Sequence, residues 1–438
     1  MSNELDKNQS SGVNLDKLFG GFSKLDYQER LFRLREMGFV QDEDITFLST
    51  GGIKDISLGE NFIENAIGYF QLPLGVATHF RIDGVDRLIP MAVEETSIIA
   101  AASKSAKWVK ENGEIKTKVT GSEIIGQIQL AKVKDFARFE ATIVKNKEKF
   151  ISSANRDAVA SLVSRGGGVR DIQVRKLARP DGLFMGIIHV YMDPCEAMGA
   201  NLINQVCEYL KKPIEETTGE KVTMCILSNL VDSKLTQVNI NIKVDQELGE
   251  KIEEASLFAE LDPYRAATNN KGILNGVDPI VIATGNDWRA VEAGMHAYTA
   301  RFGHYTSLSK WRYSQGVLSG ELKAPIILGT VGGVTRLHPT SKLALRILDV
   351  ETSNDLSRIC GAVGLTQNLG ALRALTTVGI IEGHMKLHIK NLSLGAGATD
   401  LEIPILQKKL EEILVSKKRI TMSNAVEALR EMRTSSPQ

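Results

Sequence analysis

Lys271 and Asp287 are the charged side chains most expected to contact a ligand. They lie in the segment 262–296, DPYRAATNNKGILNGVDPIVIATGNDWRAVEAGMH, in otherwise mostly apolar or small surroundings. Gly272 and Gly285 stand close to them, and glycine lets the backbone approach a ligand closely. A lysine ammonium in water-poor surroundings stabilises negative charge far more than water does. The segment is therefore the first candidate for a functional site.

Composition excludes several classes of protein. The 438 residues are enough for two or three domains, and 53 basic residues balance 53 acidic ones, so no overall charge attracts nucleic acid or anionic lipid. The cysteines lack metal-ligand spacing, which argues against a zinc site or a disulfide framework and indicates a reducing, cytoplasmic location. They are Cys195, Cys207, Cys225 and Cys360. The sequence shows neither a targeting peptide nor an apolar run long enough to span a membrane.

The elements that position these residues fall into three parts. Residues 1–13 are predicted to be a disordered tail, and 14–117 to be mainly helical, with amphipathic runs at Tyr27–Met37 and after Glu95. Leu72–Gly75 is predicted to be extended chain or a turn.

The third part of the chain, from 228 onward, is predicted to be a larger mixed domain. It ends in charged helices over 402–432, and these are preceded by His384 and His388 on one helical face.

The middle part has the clearest pattern. Alternation and turn residues predict strands, and helical spacing predicts two helices, in the order βαββαβ of ferredoxin-like domains. The strands are Ile124–Val133, Val169–Leu177, Phe184–Met192 and Val222–Leu227, and the helices are Asp135–Asn155 and Glu196–Glu216.

The predicted start of the second helix, EAMGAN at 196–201, has two interpretations. Free N–H groups and the positive end of the helix dipole suit the phosphates of a dinucleotide. Alternatively, Gly199 only lets the helix pack closely on a strand. No GxGxxG lies between a strand and a helix, so a nicotinamide cofactor would not bind through a Rossmann unit.

A set of motifs, taken in order, resembles hydroxymethylglutaryl-CoA reductase, and the similarity is to the soluble class II enzymes of bacteria and archaea. The motifs are ENAIG at 64–68, PMAVEETS at 90–97, EAMGAN at 196–201, DPYRAATNNKGILNG at 262–276, TGNDWRAVEAG at 284–294, GTVGG at 329–333 and GHM at 383–385. Each motif alone is weak, but their order is highly specific.

The resemblance implies an α+β or α/β fold with three units. A large mixed domain that binds the CoA thioester would comprise 14–117 and 228–378. A ferredoxin-like NAD(P)-binding domain would be inserted at 118–227, and a C-terminal helical flap would cover 379–438. Relatives of this kind are dimers with active sites at the subunit interface, so a homo-oligomer built from dimers is expected.

The resemblance also implies the reaction and its residues. The family reduces the thioester of hydroxymethylglutaryl-CoA with two hydrides, through mevaldyl-CoA and mevaldehyde, to mevalonate and CoA, and some members run it in reverse. Lys271 would stabilise the oxyanion, Asp287 would align Lys271, and Glu95 would transfer a proton at the carbonyl oxygen. His384 would protonate the CoA thiolate, a task that suits an imidazole that titrates near neutral pH.

Other contacts follow from the same resemblance. Substrate would be bound by Arg265, Ser97, Asn275 and His388, and the cofactor by Met198, Gly199, Ala200 and Asn201, with no metal. Glu196 stands where the family usually has aspartate, so its contact is open. Asp157 lies near the place where an acid in some relatives binds the ribose hydroxyls, which favours NADH over NADPH, although Arg156, Arg165 and Arg170 are alternatives that would bind a phosphate.

Two other classes of function stay open on the sequence. One is a non-redox enzyme of acyl-CoA that uses the same lysine, and the other is a catalytically inactive CoA-binding or scaffold protein. The first does not explain a dinucleotide-type helix start at Gly199. The second is disfavoured because Glu95, Lys271, Asp287 and His384 are all present.

Overall fold

The protein has a mixed α+β architecture in which helices cover two β-sheets. The computed structural model describes residues 19–377, 389–417 and 419–435. His384 and His388 therefore lie outside the described residues. Within those ranges, no helix has the length and apolar character needed to cross a membrane.

The helices and strands have the following bounds. The strands are β1 Leu74–Ile82, β2 Val85–Ala92, β3 Gly113–Thr120, β4 Ile124–Val133, β5 Gly168–Ala178, β6 Phe184–Asp193, β7 Met224–Ser228, β8 Leu235–Lys243, β9 Ser309–Ser314 and β10 Val317–Ala324. The helices are α1 Tyr27–Glu36, α2 Asp42–Ser49, α3 Ser57–Phe62, α4 Ile98–Asn112, α5 Phe136–Asp157, α6 Ala160–Val163, α7 Ala200–Thr218, α8 Gln246–Leu261, α9 Pro263–Ala283, α10 Trp288–Ala300, α11 Gly333–Leu337, α12 Pro339–Leu348, α13 Ser353–Thr376, α14 Ile403–Lys417 and α15 Met422–Ser435. Residues 389–395 are also helical.

The chain builds the two sheets in turn. The six-stranded sheet has the order β2-β1-β3-β8-β10-β9, and the four-stranded sheet has the order β5-β6-β4-β7. All pairs in the smaller sheet are antiparallel. The chain leaves the larger sheet after Thr120 and returns to it at Leu235, so the smaller sheet is formed entirely by the intervening residues.

The prediction that 14–117 is mainly helical is wrong over β1, β2 and β3. Asp83 and Gly84 join β1 to β2 with φ angles of 52° and 84°. Such a pair of left-handed residues forms the tight turn that matches the twist of a hairpin, and Asp-Gly is a preferred sequence for it. The signal for the hairpin was therefore present in the sequence.

The helix predicted from Glu196 begins at Ala200 instead. Cys195 and Gly199 have φ angles of 53° and 89°, which are incompatible with a right-handed helix. The EAMGAN motif is therefore mostly the turn that precedes α7, and Gly199 is the N-cap residue of that helix.

Helix α9 packs against α13. Its interior face includes Ile273, Val277 and Ile280, all fully buried. A Cβ at Gly276 would lie 2.8 Å from the carbonyl oxygen of Val363. Gly276 therefore permits a close helix crossing. At Gly276 it is therefore α13, and not a ligand, that approaches the main chain closely.

Candidate active site

Glu95 and Lys271 meet, although 176 positions separate them in the chain. Lys271 Nζ donates to Glu95 Oε2 over 2.8 Å, and the two side chains are 61% and 45% exposed. An ion pair this accessible to water contributes about 0–1 kcal/mol to stability. The contribution of this contact to stability therefore does not explain why it is present. Both side chains are accessible to a ligand.

Buried amides fix the turn of α9 that carries Lys271. Asn270 donates to the hydroxyl of Tyr305 over 2.9 Å and accepts from the N–H of Leu308 over 2.8 Å. Asn269 accepts from Asn368 of α13 over 2.8 Å. Because buried polar groups are costly when unpaired, these bonds tie the helix strongly to its neighbours. Lys271 thus projects from a rigid support.

Asp287 is the N-cap of α10. Its carboxylate accepts from the N–H of Ala290 over 3.1 Å and lies 3.6 Å from the guanidinium of Arg289. Capping satisfies one of the N–H groups that a helix leaves unpaired at its start. Asp287 and Lys271 form no ion pair with each other in the described residues, so the alignment of Lys271 by Asp287 stays a prediction.

Ser97 lies two residues after Glu95, at the start of α4, in a left-handed conformation with a φ of 75°. Its Oγ is buried and has no hydrogen-bond partner among the described residues. A buried hydroxyl without a partner costs free energy, so a hydrogen bond from Ser97 Oγ to a ligand would be favourable.

Glu95 and Ser97 line a cavity of about 830 Å³. Its walls include apolar side chains such as Phe19 and Leu31, and basic residues at its edge are Arg30, Lys104 and Lys107. Apolar walls with a few polar groups are typical of ligand sites. This lining suits a molecule that has both an apolar and an anionic part.

Arg265 and Asn275 lie on α9, on either side of Lys271 in the chain. The Arg265 guanidinium is half-buried, and burial lowers its pKa. It has no carboxylate partner among the described residues. Pro279, inside the same helix, has no N–H to donate to the carbonyl of Asn275. Both residues therefore retain polar groups that a ligand could use.

Met198 and Gly199 immediately precede α7 and lie against the smaller sheet. A Cβ at Gly199 would lie 2.5 Å from Ile124 of β4, so this glycine does allow close packing on a strand. The start of α7 also lacks a side-chain cap, which leaves its first N–H groups available. Both interpretations of the motif thus have structural support. Ala200 and Asn201 are the first two residues of this helix.

Gly329 of the GTVGG motif contacts the turn before α7. A Cβ at Gly329 would lie 2.6 Å from the N atom of Met198. The amide of Asn286 donates to the carbonyl of Gly329 over 3.1 Å and accepts from its N–H over 2.8 Å. Asn286 immediately precedes Asp287, so short contacts connect the Asp287 cap with the Met198 turn.

The Glu196 carboxylate has a partner. Its Oε2 accepts from the N–H of Ser353, at the first position of α13, over 2.5 Å. A carboxylate is favourable there because the start of a helix has unpaired N–H groups and a positive dipole end. Glu196 therefore ties the motif to the start of α13.

Asp157, at the end of α5, is held by two neighbours. Arg156 Nε lies 2.7 Å from it, and the hydroxyl of Tyr209 donates to it over 2.6 Å. Hydrogen bonds from these groups lower the pKa of its carboxyl.

Cys195 lies in the turn before α7. Burial raises the pKa of its thiol, and Arg165 and Arg170 lie near enough to oppose that shift. The carboxylates of Asp193 and Glu196 also act on this thiol, so both arginines and acids lie near the turn before α7.

Sequence reasoning missed Asp278, an acid inside the apolar end of α9. Its Oδ1 is buried and no donor among the described residues reaches it, while Glu292 of α10 lies within hydrogen-bonding distance. The signal was an aspartate among the apolar residues of GILNGVDPIVIA, where a charge is costly.

In the described residues, no group of acidic, histidine and cysteine side chains has the arrangement of a metal site.

Comparison with known proteins identifies one family. The family model for hydroxymethylglutaryl-coenzyme A reductase matches residues 26–389. The chain is 42% identical to 3-hydroxy-3-methylglutaryl-coenzyme A reductase of Archaeoglobus fulgidus over 94% of each chain. It is 31% identical to the probable enzyme of Borreliella burgdorferi, over 87% of this chain and 88% of that protein.

Solved structures agree with this result. The reductase of Streptococcus pneumoniae is 37% identical and matches with a TM-score of 0.80 over 95% of this chain and all of that one. A structure of the class II enzyme of the same organism, described as bound to NADPH in open conformations, is 37% identical and matches with a TM-score of 0.79 over 82% of this chain and 100% of that one.

Proposed function

The chain belongs to the hydroxymethylglutaryl-CoA reductase family, and we propose that it converts hydroxymethylglutaryl-CoA, two NAD(P)H and two protons to mevalonate, CoA and two NAD(P)⁺. It is an NAD(P)H-dependent oxidoreductase. The observation that best supports the proposed chemistry is the contact between Glu95 and Lys271, which brings together two of the motifs that carry the family resemblance.

Lys271 is proposed to stabilise the oxyanion that forms when a hydride reaches the thioester carbonyl. Its ammonium already donates to Glu95 over 2.8 Å, so it is held close to an acid that can supply the proton for that oxygen. Bound substrate would exclude water from the pair, and exclusion of water strengthens both interactions. In the second reduction, Glu95 would likewise supply a proton to the carbonyl oxygen of the aldehyde.

Asp287 and His384 are proposed to complete the chemistry. Asp287 would favour the charged form of Lys271 once the two approach each other. When the hemithioacetal collapses, the carbon–sulfur bond breaks and the thiolate leaves, and His384 would give it a proton. His384 lies outside the described residues, in the segment for which we propose a flap at 379–438, together with the substrate contact His388.

The substrate is proposed to bind between α4 and α9. The guanidinium of Arg265, which has no carboxylate partner in the described residues, suits the terminal carboxylate of the hydroxymethylglutaryl group. Ser97 Oγ and Asn275 offer hydrogen bonds near the reacting carbon. The cavity at Glu95 and Ser97 would accept the pantetheine arm along its apolar wall and the CoA phosphates at its basic edge.

Arg265→Gln should raise KM for hydroxymethylglutaryl-CoA by about 10- to 100-fold, since a hydrogen bond to a charged group contributes about 1.5–3 kcal/mol. KM for NAD(P)H should not change, because the variant leaves the start of α7 intact. Steady-state kinetics with each substrate varied would measure both constants. Arg138→Gln, an exposed arginine on α5, is the control for loss of one positive charge. Equal KM values in the two variants would contradict the assignment.

NAD(P)H, when bound, supplies the hydrides, and the start of α7 is proposed to hold its pyrophosphate. The uncapped N–H groups after Met198 and Gly199 and the positive charges of Arg165 and Arg170 fit such a group. Asp157 was the basis for the NADH preference, but its carboxylate already binds Arg156 and Tyr209. Nothing therefore supports NADH over NADPH, and a relative binds NADPH.

Gly199→Ala should raise KM for NAD(P)H at least about tenfold and destabilise the fold by about 1–3 kcal/mol. The new Cβ would lie 2.5 Å from Ile124 and 2.6 Å from Pro194, at a φ of 89°, so the turn must shift. Gly219→Ala, at the other end of α7, is the matched control: its φ is 73°, but nothing lies within 4 Å of its Cβ. Kinetics and thermal unfolding of both variants separate packing from backbone strain.

The small sheet is proposed to be an inserted ferredoxin-like domain that binds the cofactor. Its strand order, with β4 and β6 in the centre, supports this proposal. The boundaries 14–117, 118–227 and 228–378 are proposed on the same basis.

A homodimer is also proposed. Ile67 and Phe70 lie in one loop, and both expose nearly their whole side chains, which is typical of a surface that another subunit covers. Sedimentation of a monomer at micromolar concentration would contradict the dimer.

The deciding experiment mixes the purified protein with hydroxymethylglutaryl-CoA and either NADH or NADPH and follows absorbance of the reduced nicotinamide. We expect two nicotinamides oxidised for each CoA released. If neither cofactor is oxidised, and mevalonate with CoA does not reduce the oxidised forms, the proposal fails. Release of CoA without oxidation would instead indicate a non-redox acyl-CoA enzyme, and CoA binding alone an inactive binding protein.

A further inference from the structure

We propose that Asp278 and Glu292 share one proton, and that this hydrogen bond positions the Asp287 helix relative to the Lys271 helix. The inference rests on the proposed reductase function. Neither residue contacts the proposed substrate site, so both are positioning residues rather than catalytic ones.

Two carboxylates in contact need a proton. Both groups only accept hydrogen bonds when ionised, and no donor among the described residues reaches the buried Asp278 Oδ1. Neither carboxylate forms an ion pair in the described residues. On α10 the group facing Asp278 is Glu292, and on α13 it is the buried thiol of Cys360, whose pKa burial and Asp278 both raise. A shared proton is the donor that this arrangement lacks.

The electrostatics agree with this geometry. Burial first, and then the Glu292 carboxyl, raise the pKa of Asp278 to about 8. At neutral pH the pair therefore keeps one proton and carries one negative charge.

The pair is well placed to align the site. Lys271, Asn275 and Asp278 recur at helical spacing, so they share one face of α9, with Asp278 about 10 Å along the axis from Lys271. Glu292 lies one turn beyond the Asp287 cap on α10. The hydrogen bond closes the segment 278–292 into a loop that contains Asp287. Its loss would allow α10 to move with respect to Lys271.

The test is Asp278→Asn, whose amide donates to Glu292 at every pH. We expect kcat close to that of the unsubstituted protein at about pH 6, and about tenfold higher than it at about pH 9, where only about a tenth of the pairs would keep a proton. KM for NADPH should not change. Glu292→Gln, with the donor on the other side, should behave alike, and Glu254→Gln, an exposed acid on α8, is the charge control.

Stability gives a second measurement. The pKa of Asp278 is 3.8 for the free side chain and about 8 here, so the unsubstituted protein should lose stability as pH rises through that window. Asp278→Asn lacks that loss, so its Tm relative to the unsubstituted protein should rise with pH. A constant difference between the two Tm values, or an activity ratio independent of pH in both amide variants, would overturn the proposal.

A third measurement does not depend on activity. Infrared spectroscopy should show the carbonyl band of a protonated carboxyl at neutral pH, lost at high pH, absent in Asp278→Asn and present in Glu254→Gln. With this band but no reductase activity, the proposed function fails and the proton pair stands. With activity but no such band, the pair fails and the proposed function stands.

Discussion

Lys271→Ala is expected to lower kcat at least about a thousandfold, which corresponds to about 4 kcal/mol of transition-state stabilisation. The ammonium is the only proposed group that both stabilises the oxyanion and contacts Glu95, so the remaining side chains cannot replace it. The affinity for CoA should change by less than about threefold, because the cavity proposed for CoA does not include Lys271. Stopped-flow absorbance and calorimetric titration with CoA measure the two quantities.

Lys251→Ala is the control for Lys271→Ala. Lys251 lies on α8 and pairs with Glu247 on the surface, so the substitution removes the same charge from an exposed helix. It should retain normal turnover. Near-normal turnover in Lys271→Ala would reject the oxyanion role, and a large loss of CoA affinity would indicate a role in binding instead.

Glu95→Gln is expected to lower kcat by about 10²- to 10⁴-fold, the usual contribution of a positioned acid or base. Glutamine can still accept a hydrogen bond from Lys271, but it cannot supply a proton. Both the thioester and free mevaldehyde should react slowly, since each has a carbonyl oxygen that must be protonated. Separate assays with the two substrates measure this.

Glu94→Gln provides the matched control, because Glu94 is the exposed neighbour of Glu95 in the same segment. Thermal unfolding of both variants should be nearly unchanged, since a half-exposed ion pair contributes little to stability. A loss with the thioester but not with mevaldehyde would contradict proton transfer by Glu95 and would fit the role proposed for His384.

Local patterns predicted the small sheet well. Strand β4 was predicted with its observed ends, and β5 and β6 to within one residue at each end, because alternation on a half-buried sheet leaves a clear period. The start of α7 was placed too early, since positive φ angles at Cys195 and Gly199 leave little trace in hydrophobic spacing. Strands β1 to β3 were missed although Asp83-Gly84 marks the hairpin.

The site was less accessible to sequence reasoning than the sheet. Lys271 and Asp287 stood out as charges in apolar surroundings, but the partnership of Glu95 with Lys271 depends on the packing of α9 near the start of α4. No local pattern encodes that distance. Asp278 shows the same limit, because its importance depends on Glu292, which is brought to it only by the turn between α9 and α10.

The contact at Gly329 limits which amino acids this position can accept during evolution. The path from Asp287 to Met198 runs through main-chain atoms of Gly329, and a Cβ there would lie 2.6 Å from the N atom of Met198. The spacing between the two halves of the proposed site therefore does not depend on a particular side chain at position 329. Any side chain at position 329 would push the Met198 turn away from the Asp287 cap.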